Sequence, residues 1–148
     1  MLELRKPTVS DVADMHQLMA PHVRSEALLP RSQRNIVEHL RDYVVAEEEG
    51  RLVGLASLSL VESHLAELGA VVCEHPELLN RLVKVALEEA KAVGIQRVFV
   101  LAADAEPYLQ LGFSQVEIQT LPEKRDRQCL RCPRLPRCRQ VPLVYEIS

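Results

Sequence analysis

The chain has few of the residues on which several large functional classes depend. Only 5 of its 148 residues are glycine, whereas an average usage of ~7% would give about ten. A fold built around a glycine-rich phosphate-binding loop is therefore disfavoured. Tryptophan is absent and aromatic residues make up 3% of the chain, so a stacking platform for single-stranded nucleic acid is not expected. No apolar run approaches the ~20 residues of a membrane span.

The remaining composition is typical of a soluble globular protein. Hydrophobic residues make up 47% and charged residues 26%, with a net charge of −3, and the length fits one domain of ~100–150 residues. Residues 1–6 lack the apolar stretch of a signal peptide, so we expect a cytoplasmic location. In that compartment cysteines are reduced or metal-bound rather than disulfide-paired. The four cysteines are Cys73, Cys129, Cys132 and Cys138.

Hydrophobic periodicity divides the first half of the chain into a strand, two helices and a hairpin. Residues 2–5 alternate as a short strand, and Ser10 is a good N-cap for a helix over roughly 11–20. Ser32 is expected to cap a second helix. An acidic turn between two apolar stretches within residues 43–60 predicts a hairpin.

The second half of the chain alternates strands and helices. A strand over 66–72 precedes the strongest amphipathic helix, whose apolar stripe runs from Leu78 to Ala90 and which Gly94 ends. This order predicts an α/β (α+β) fold, with a mixed sheet and helices on its faces. The remaining predicted elements are a buried strand over 97–101, a short helix over 106–111 and strands over 113–118 and 143–147.

Short motifs along almost the whole chain resemble those of one superfamily. Residues 4–12 are similar to an opening strand with an R-x-A-x-x-x-D turn, and Pro30-Arg31-Ser32 resembles the R-S start of a second helix. In this order the motifs resemble the GNAT superfamily of acetyl-CoA-dependent N-acyltransferases, and most closely the short form of the N-acetylglutamate synthase acetyltransferase domain. The other matching stretches are Phe99-Val100-Leu101, Tyr108 to Phe113, Leu121-Pro122-Glu123 and the cysteine-containing tail from Cys129 to Cys138.

The resemblance implies both an architecture and an activity. It implies one GNAT-like domain over 1–148, with a mixed, mostly antiparallel sheet, helices on both faces and a basic, cysteine-containing loop at about 119–141 between the last two strands. The implied activity is transfer of an acetyl or acyl group from acyl-CoA to the amine of a small molecule or amino acid. GNAT proteins are commonly dimeric, so a homodimer is expected.

The segment that would bind the cofactor departs from the family pattern. Relatives carry R/Q-x-x-G-x-G/A, whose backbone N–H groups hold the CoA pyrophosphate at a helix N-terminus. Residues 73–81 contain no glycine, and Glu74 and Glu77 place negative charge where the pyrophosphate would lie. We therefore expect weakened acetyl-CoA affinity; the alternative is an ordinary acidic helix start after Pro76. The cofactor contacts that the resemblance implies are Val71, Val72, Leu79, Asn80 and Arg81.

The resemblance also implies catalytic and substrate-binding residues. Tyr108 lies where many GNAT enzymes have the tyrosine that protonates the CoA sulfur, although it can equally be a packing residue of an amphipathic helix. Glu67 occupies a position often given to the general base, with a surface carboxylate as the alternative. Arg31 and Ser32 are candidates to bind an acceptor carboxylate, with a surface arginine as the commoner outcome. Asp104 stands where glutamate-acetylating relatives carry arginine, which disfavours glutamate as the acceptor.

The region from Lys124 to Arg139 supports a second class of function. It holds seven basic residues and one acidic residue, a local charge of +6, so the rest of the chain sums to −9. Such a block favours self-complementary packing or capture of an anion. The alternative to an enzyme is therefore a catalytically silent GNAT-fold protein that senses a ligand or binds a partner. Nucleic acid is not an expected partner, because a recognition motif and aromatic residues are lacking.

The same region contains a C-x2-C-x5-C pattern. Cys129, Cys132 and Cys138 offer three thiolates at close range, which fits part of a zinc site, although a complete site usually has four ligands. Cys73, a histidine or a partner chain would have to supply the fourth. The alternatives are reduced thiols or a disulfide between two of the three.

Overall fold

A computed structural model of the chain describes residues 1–24, 30–117 and 141–147. In this part of the chain, seven strands form one sheet with helices on both faces. The strands are β1 (Leu2–Arg5), β2 (Tyr43–Glu48), β3 (Arg51–Glu62), β4 (Leu65–Cys73), β5 (Arg97–Ala102), β6 (Ser114–Gln115) and β7 (Val141–Glu146). The helices are α1 (Val12–Arg24), α2 (Gln33–Glu38), α3 (Pro76–Ala92) and α4 (Glu106–Gln110).

The sheet is mixed and mostly antiparallel, as predicted. Its strand order is β1-β2-β3-β4-β5-β7-β6, and the parallel pair is β4 with β5. α3 supplies the crossover that a parallel pair requires. The β2–β3 hairpin closes through Glu49 and Gly50, with φ values of +53° and +79°, the positive pair that a two-residue type I′ turn needs.

Alternating side chains of the sheet enter two large cores, and a third, smaller cluster contains Leu65, Phe99 and Val144. Val44 of β2 packs with Leu82 of α3, whereas Val45 packs with Met15 of α1 and Ile36 of α2. Both faces of the central strands are therefore covered, which explains the continuous apolar runs in the sequence. No helix in the described ranges is long and apolar enough to cross a membrane.

Three predicted element boundaries are wrong. Ser10 is not the N-cap of the first helix, because a 3-10 turn over Val9–Asp11 precedes α1 and Thr8 forms a capping box with Asp11. The helix also continues to Arg24 past Pro21, since a proline near a helix end removes a single hydrogen bond. The strand expected over 113–118 is limited to β6, and residue 118 lies outside the described residues.

One extra residue in β4 makes a β-bulge at the centre of the sheet. Positions 56 and 58 of β3 pair with positions 71 and 68 of β4. Ser57 therefore faces two residues, Gly69 and Ala70. A bulge of this kind changes which face the following side chains occupy. Leu68 and Val71 both pack toward α3, while Ala70 packs toward α1 and α2.

A charged cluster attaches the start of the chain to β2. The guanidinium of Arg5 forms two hydrogen bonds with the Asp11 carboxylate, at 2.9 and 3.0 Å, and two with Glu47 Oε1, at 2.7 and 3.1 Å. Asp11 also accepts the backbone N–H of Thr8 at 2.8 Å. The hydrogen bonds from Arg5 lower the pKa of Asp11 to about 2. The cluster therefore stabilises the fold when Asp11 is ionised.

We expect Asp11→Asn to reduce the free energy of unfolding at pH 7 by ~1–2 kcal/mol. Because the pKa of Asp11 is lower in the folded state than its unfolded value of ~3.9, the stabilisation is complete above that value. It is lost as the pH falls through about 2. Urea unfolding of both proteins between pH 7 and pH 2.5 should show the difference shrinking below pH 4.

The matched control is Asp14→Asn, which alters an exposed carboxylate in the first turn of α1. The loss of unfolding free energy in Asp14→Asn should be smaller than the loss in Asp11→Asn. Equal losses of stability in the two variants would contradict the role assigned to Asp11.

Candidate active site

A cleft opens where β4 and β5 separate. The two strands pair through Leu65–Glu67 and Arg97–Phe99, yet β4 continues to Cys73 and β5 to Ala102. The resulting space has a volume of about 240 Å³. Its lining includes His22, Gly69, Val71, Leu79, Asp104 and Tyr108.

Val71 and Val72 are two of the cofactor contacts that the resemblance implies, and the backbone amide of one of them faces this opening. The N–H of Glu74 donates to the carbonyl oxygen of Val53 at 2.8 Å, which makes these residues a hydrogen-bonded pair. Such pairs alternate along an antiparallel ladder, so Val72, which is opposite Leu55, directs its N–H into β3. The N–H of Val71 points the other way, toward the cleft.

Tyr108 forms one wall of the cleft. It is 6% exposed, and its ring packs edge-to-face against Phe113 with centroids 5.5 Å apart. Its hydroxyl has no hydrogen-bond partner among the residues that the structure describes. Burial, and then the nearby Cys73, raise the pKa of Tyr108. The hydroxyl therefore keeps its proton at neutral pH, and both predicted roles, packing and proton donation, suit this position.

The side chain of Arg31 lies against the bulge of β4. Its Nη1 donates to the Tyr43 hydroxyl at 2.6 Å and is 3.5 Å from Ser57 Oγ. A Cβ on Gly69 would be 3.0 Å from Nη2, so the glycine gives the guanidinium room. No carboxylate in the described ranges forms an ion pair with Arg31. The guanidinium is therefore half-buried, held by neutral groups, and next to a residue that lines the cleft.

The other two predicted residues of this region have different surroundings. Ser32 caps α2, where its hydroxyl accepts the N–H of Asn35 at 3.0 Å. Glu67 is half-buried on β4 opposite Phe99 of β5. Since Phe99 lies outside the core that α3 covers, Glu67 is on the α1–α2 face of the sheet, the face that also carries Arg31. Glu67 does not itself line the described cleft.

The link from β4 to α3 is acidic, as the sequence indicates, but one of its charges is paired. Glu74 forms an ion pair with Arg51 at 2.9 Å, which lowers the pKa of Glu74. The carboxylate of Glu77 stays exposed in the first turn of α3. Leu79 reaches the cleft, whereas Asn80 and Arg81 are exposed on the helix. The link therefore offers fewer contacts to a pyrophosphate than the resemblance implies.

Cys73 lies at the end of β4 beside this link. Burial and the charge of Glu77 raise the pKa of its thiol, while a hydrogen bond from the Leu79 N–H acts in the opposite direction. No group of three or more metal-ligating side chains occurs among the described residues. Cys129, Cys132 and Cys138 lie outside these residues, so the zinc site stays a prediction.

The structure adds His22, which the sequence did not single out, and places Asp104 in the same cleft. Asp104 lines the cleft at the end of β5, where its Oδ1 accepts the N–H of Glu106 at 3.2 Å and starts α4. His22 reaches the cleft from the last turn of α1. In the sequence, Asp104 is noticeable only because relatives carry arginine at that position. No local motif marks His22 as a site residue. They come together because the end of α1 and the residues that follow β5 line the same cleft.

Proteins whose sequences are similar to this chain are named acetyltransferases. An uncharacterised N-acetyltransferase of Chlorobaculum tepidum is 26% identical over 145 residues, covering 95% of this chain and 94% of that protein. The amino-acid acetyltransferase of Aeromonas salmonicida is 30% identical over 132 residues, covering 84% of this chain. The matched part is 30% of that longer enzyme. No protein-family model matches the chain.

Solved structures share the fold. The N-acetylglutamate synthase of Neisseria gonorrhoeae, complexed with coenzyme A and N-acetyl-glutamate, matches the whole chain with a TM-score of 0.88 at 23% identity. The match covers 35% of that enzyme. A Mycobacterium tuberculosis protein solved with coenzyme A matches 99% of both chains, with a TM-score of 0.85 at 21% identity.

These comparisons confirm the resemblance stated from the sequence. The chain has the GNAT fold, and it is homologous to N-acetyltransferases and amino-acid acetyltransferases. The predicted function, transfer of an acyl group to an amine, agrees with the names of these homologues, and the two similar structures were solved with coenzyme A.

Proposed function

We propose that this protein transfers an acetyl group from acetyl-CoA to the amino group of a small molecule that also carries a carboxylate. The observation that supports this most is the opening between β4 and β5, which brings the Val71 amide, the Tyr108 hydroxyl and the bulge beneath Arg31 to one cleft. An acyl transfer needs a donor for the carbonyl oxygen, an acid for the departing sulfur and a base for the amine.

The chain offers a group for each of these tasks. The Val71 N–H donates to the oxygen of the acyl carbonyl, which gains negative charge as the amine attacks. Tyr108 gives its proton to the departing sulfur as the carbon–sulfur bond of the thioester breaks. Glu67 takes a proton from the acceptor's ammonium group through water. Acetyl-CoA supplies the activated thioester carbonyl.

Residues on the two faces of the sheet would bind the two substrates. Leu79 and the start of α3 lie on the cofactor side, with Asn80 and Arg81 in supporting positions on the exposed part of the helix. Val72, which the resemblance also implies, is buried in the core under α1 and α2, so it is not proposed as a cofactor contact. Glu77 opposes the pyrophosphate by charge, so we expect affinity for acetyl-CoA below that of glycine-containing relatives. Arg31 lies on the opposite face, with Ser32 next to it in sequence, and would bind the acceptor carboxylate.

Asp104 restricts what else the acceptor can carry. Its carboxylate lines the cleft, where a second acidic group on the acceptor would meet like charge. The acceptor is therefore expected to be an amino acid with a neutral or basic side chain rather than glutamate. The homodimer and the zinc site stay predictions from the sequence.

Titration calorimetry with acetyl-CoA, followed by turnover measurements, tests the proposed activity. We expect heat of binding and acetyl transfer to amino acids, and we expect Tyr108→Phe to lower kcat by about tenfold or more because it removes the proton donor. Unchanged turnover would remove Tyr108 from the mechanism. Absence of binding at several hundred micromolar acetyl-CoA, by order of magnitude well above ordinary KM values, would favour the catalytically silent alternative.

Replacement of Arg31 tests the acceptor class. We expect Arg31→Met to raise KM for an amino-acid acceptor by about tenfold, because a charge-assisted contact to the carboxylate is lost. KM for the methyl ester of the same amino acid should change little. The matched control is Arg34→Met, since Arg34 is exposed on α2 and pairs with Glu38. A rise in KM that is equal for acid and ester would contradict carboxylate binding by Arg31.

A further inference from the structure

Ser57 is a buried polar residue that none of the steps above uses. It lies in the middle of β3 and is 1% exposed. Apart from tyrosines, it is the one polar side chain that is buried among the described residues. Its position is central to the site, because it pairs with Tyr43 of β2 on one side and faces both residues of the β4 bulge on the other.

The hydroxyl of Ser57 completes the hydrogen bonding of the bulge. Ala70 donates its backbone N–H to Ser57 Oγ at 3.0 Å, in a buried contact. Bulges leave the extra residue outside the regular ladder, and a buried N–H without a partner is unfavourable. The side chain of β3 therefore takes the place that a backbone carbonyl has in a regular strand pair.

The bulge determines where the Val71 amide points. After the bulge, toward the C-terminal end of β4, Val71 is opposite position 56 and Val72 is opposite Leu55. The backbone groups of Leu55 are directed toward β4. Without the extra residue, the register that pairs positions 58–60 of β3 with positions 66–68 of β4 would continue to the end of β4. Val71 would then be opposite Leu55 and would direct its N–H into β3. The group that holds the bulge thus keeps the Val71 amide at the cleft.

The same hydroxyl touches the acceptor side of the site. Arg31 Nη1 lies 3.5 Å from Ser57 Oγ and 2.6 Å from the Tyr43 hydroxyl. A Cβ on Gly69 would be 3.0 Å from both Ser57 Oγ and Arg31 Nη2. Ser57 is therefore in contact with the bulge and with the guanidinium at once.

We propose that Ser57 is a positioning residue whose hydroxyl holds the β4 bulge, and through it directs the Val71 amide into the cleft while supporting Arg31 on the acceptor side. This inference rests on the proposed acetyl transfer. Ser57 acts through the Val71 amide and through Arg31, and it forms or breaks no bond itself.

Substitution of Ser57 tests the proposal by kinetics. We expect Ser57→Ala to lower kcat by about tenfold or more, because the Val71 N–H, which donates to the acyl carbonyl, loses its alignment. KM for the amine should rise about threefold, since Arg31 loses a weak contact, while KM for acetyl-CoA should stay within about twofold, because most of the cofactor binds elsewhere. Ser57→Thr keeps the hydroxyl and should recover most of kcat.

The control is Ser59→Ala on the same strand, two residues beyond Ser57. The Ser59 hydroxyl donates to Asp42 at 3.3 Å, away from the bulge, so its loss should leave kcat unchanged. Amide hydrogen exchange gives a second measurement: the Ala70 N–H should exchange about tenfold faster in Ser57→Ala and at the wild-type rate in Ser57→Thr and Ser59→Ala. If Ser57→Ala does not fold, the graded pair Ser57→Cys and Ser57→Thr replaces it, because sulfur is the weaker acceptor.

The possible failures are distinguishable. An active wild-type protein whose Ser57→Ala variant has unchanged kcat and unchanged Ala70 exchange would overturn the role of Ser57 alone. Equal losses of kcat in Ser57→Ala and Ser57→Thr would also overturn it, since the hydroxyl would then not matter. A wild-type protein that neither binds acetyl-CoA nor transfers acetyl groups would overturn the proposed function itself.

Discussion

The separation of β4 from β5 is the constraint on which the rest of the site depends. The two strands share hydrogen bonds over three residues each and then part, so the sheet has an internal gap instead of a continuous surface. The bulge of β4 lies just beyond the last paired residue, and it directs one backbone amide into that gap. α3 covers one face of the sheet, and α1 with α2 covers the other.

Charge is distributed unequally around this gap. On the acceptor side, Arg31 is held by a phenol and close to a buried hydroxyl, so its positive charge is not neutralised by the described carboxylates. On the cofactor side, residues 73–81 contain no glycine and include the acidic Glu74 and Glu77. Arg51 neutralises Glu74, and the exposed Glu77 remains. The electrostatics therefore favour a carboxylate-bearing acceptor and oppose a tightly bound pyrophosphate.

Most of the fold could be predicted from the sequence, because local patterns carry its elements. Ser32 caps its helix and Gly94, with a φ of +88°, ends α3 as expected. The prediction that Ser10 is the N-cap was wrong, because Thr8 and Asp11 form a capping box that begins two residues earlier. Arg5 of the preceding strand binds the Asp11 carboxylate there. The start of that helix thus depends partly on a contact outside the helix, which periodicity does not record.

By itself the sequence determined the elements, their order, the likeness to GNAT acyltransferases and the residue types from which a site could be built. Tertiary structure alone decided which of these meet: that Val71, not Val72, turns its amide to the cleft, that Arg31 rests on Gly69, and that Asp104 and His22 join them. The physical reason is that helix and strand propensities act over a few neighbouring residues. The bulge opposite Ser57 and the gap after Glu67 arise from the register of strands that are far apart in the chain.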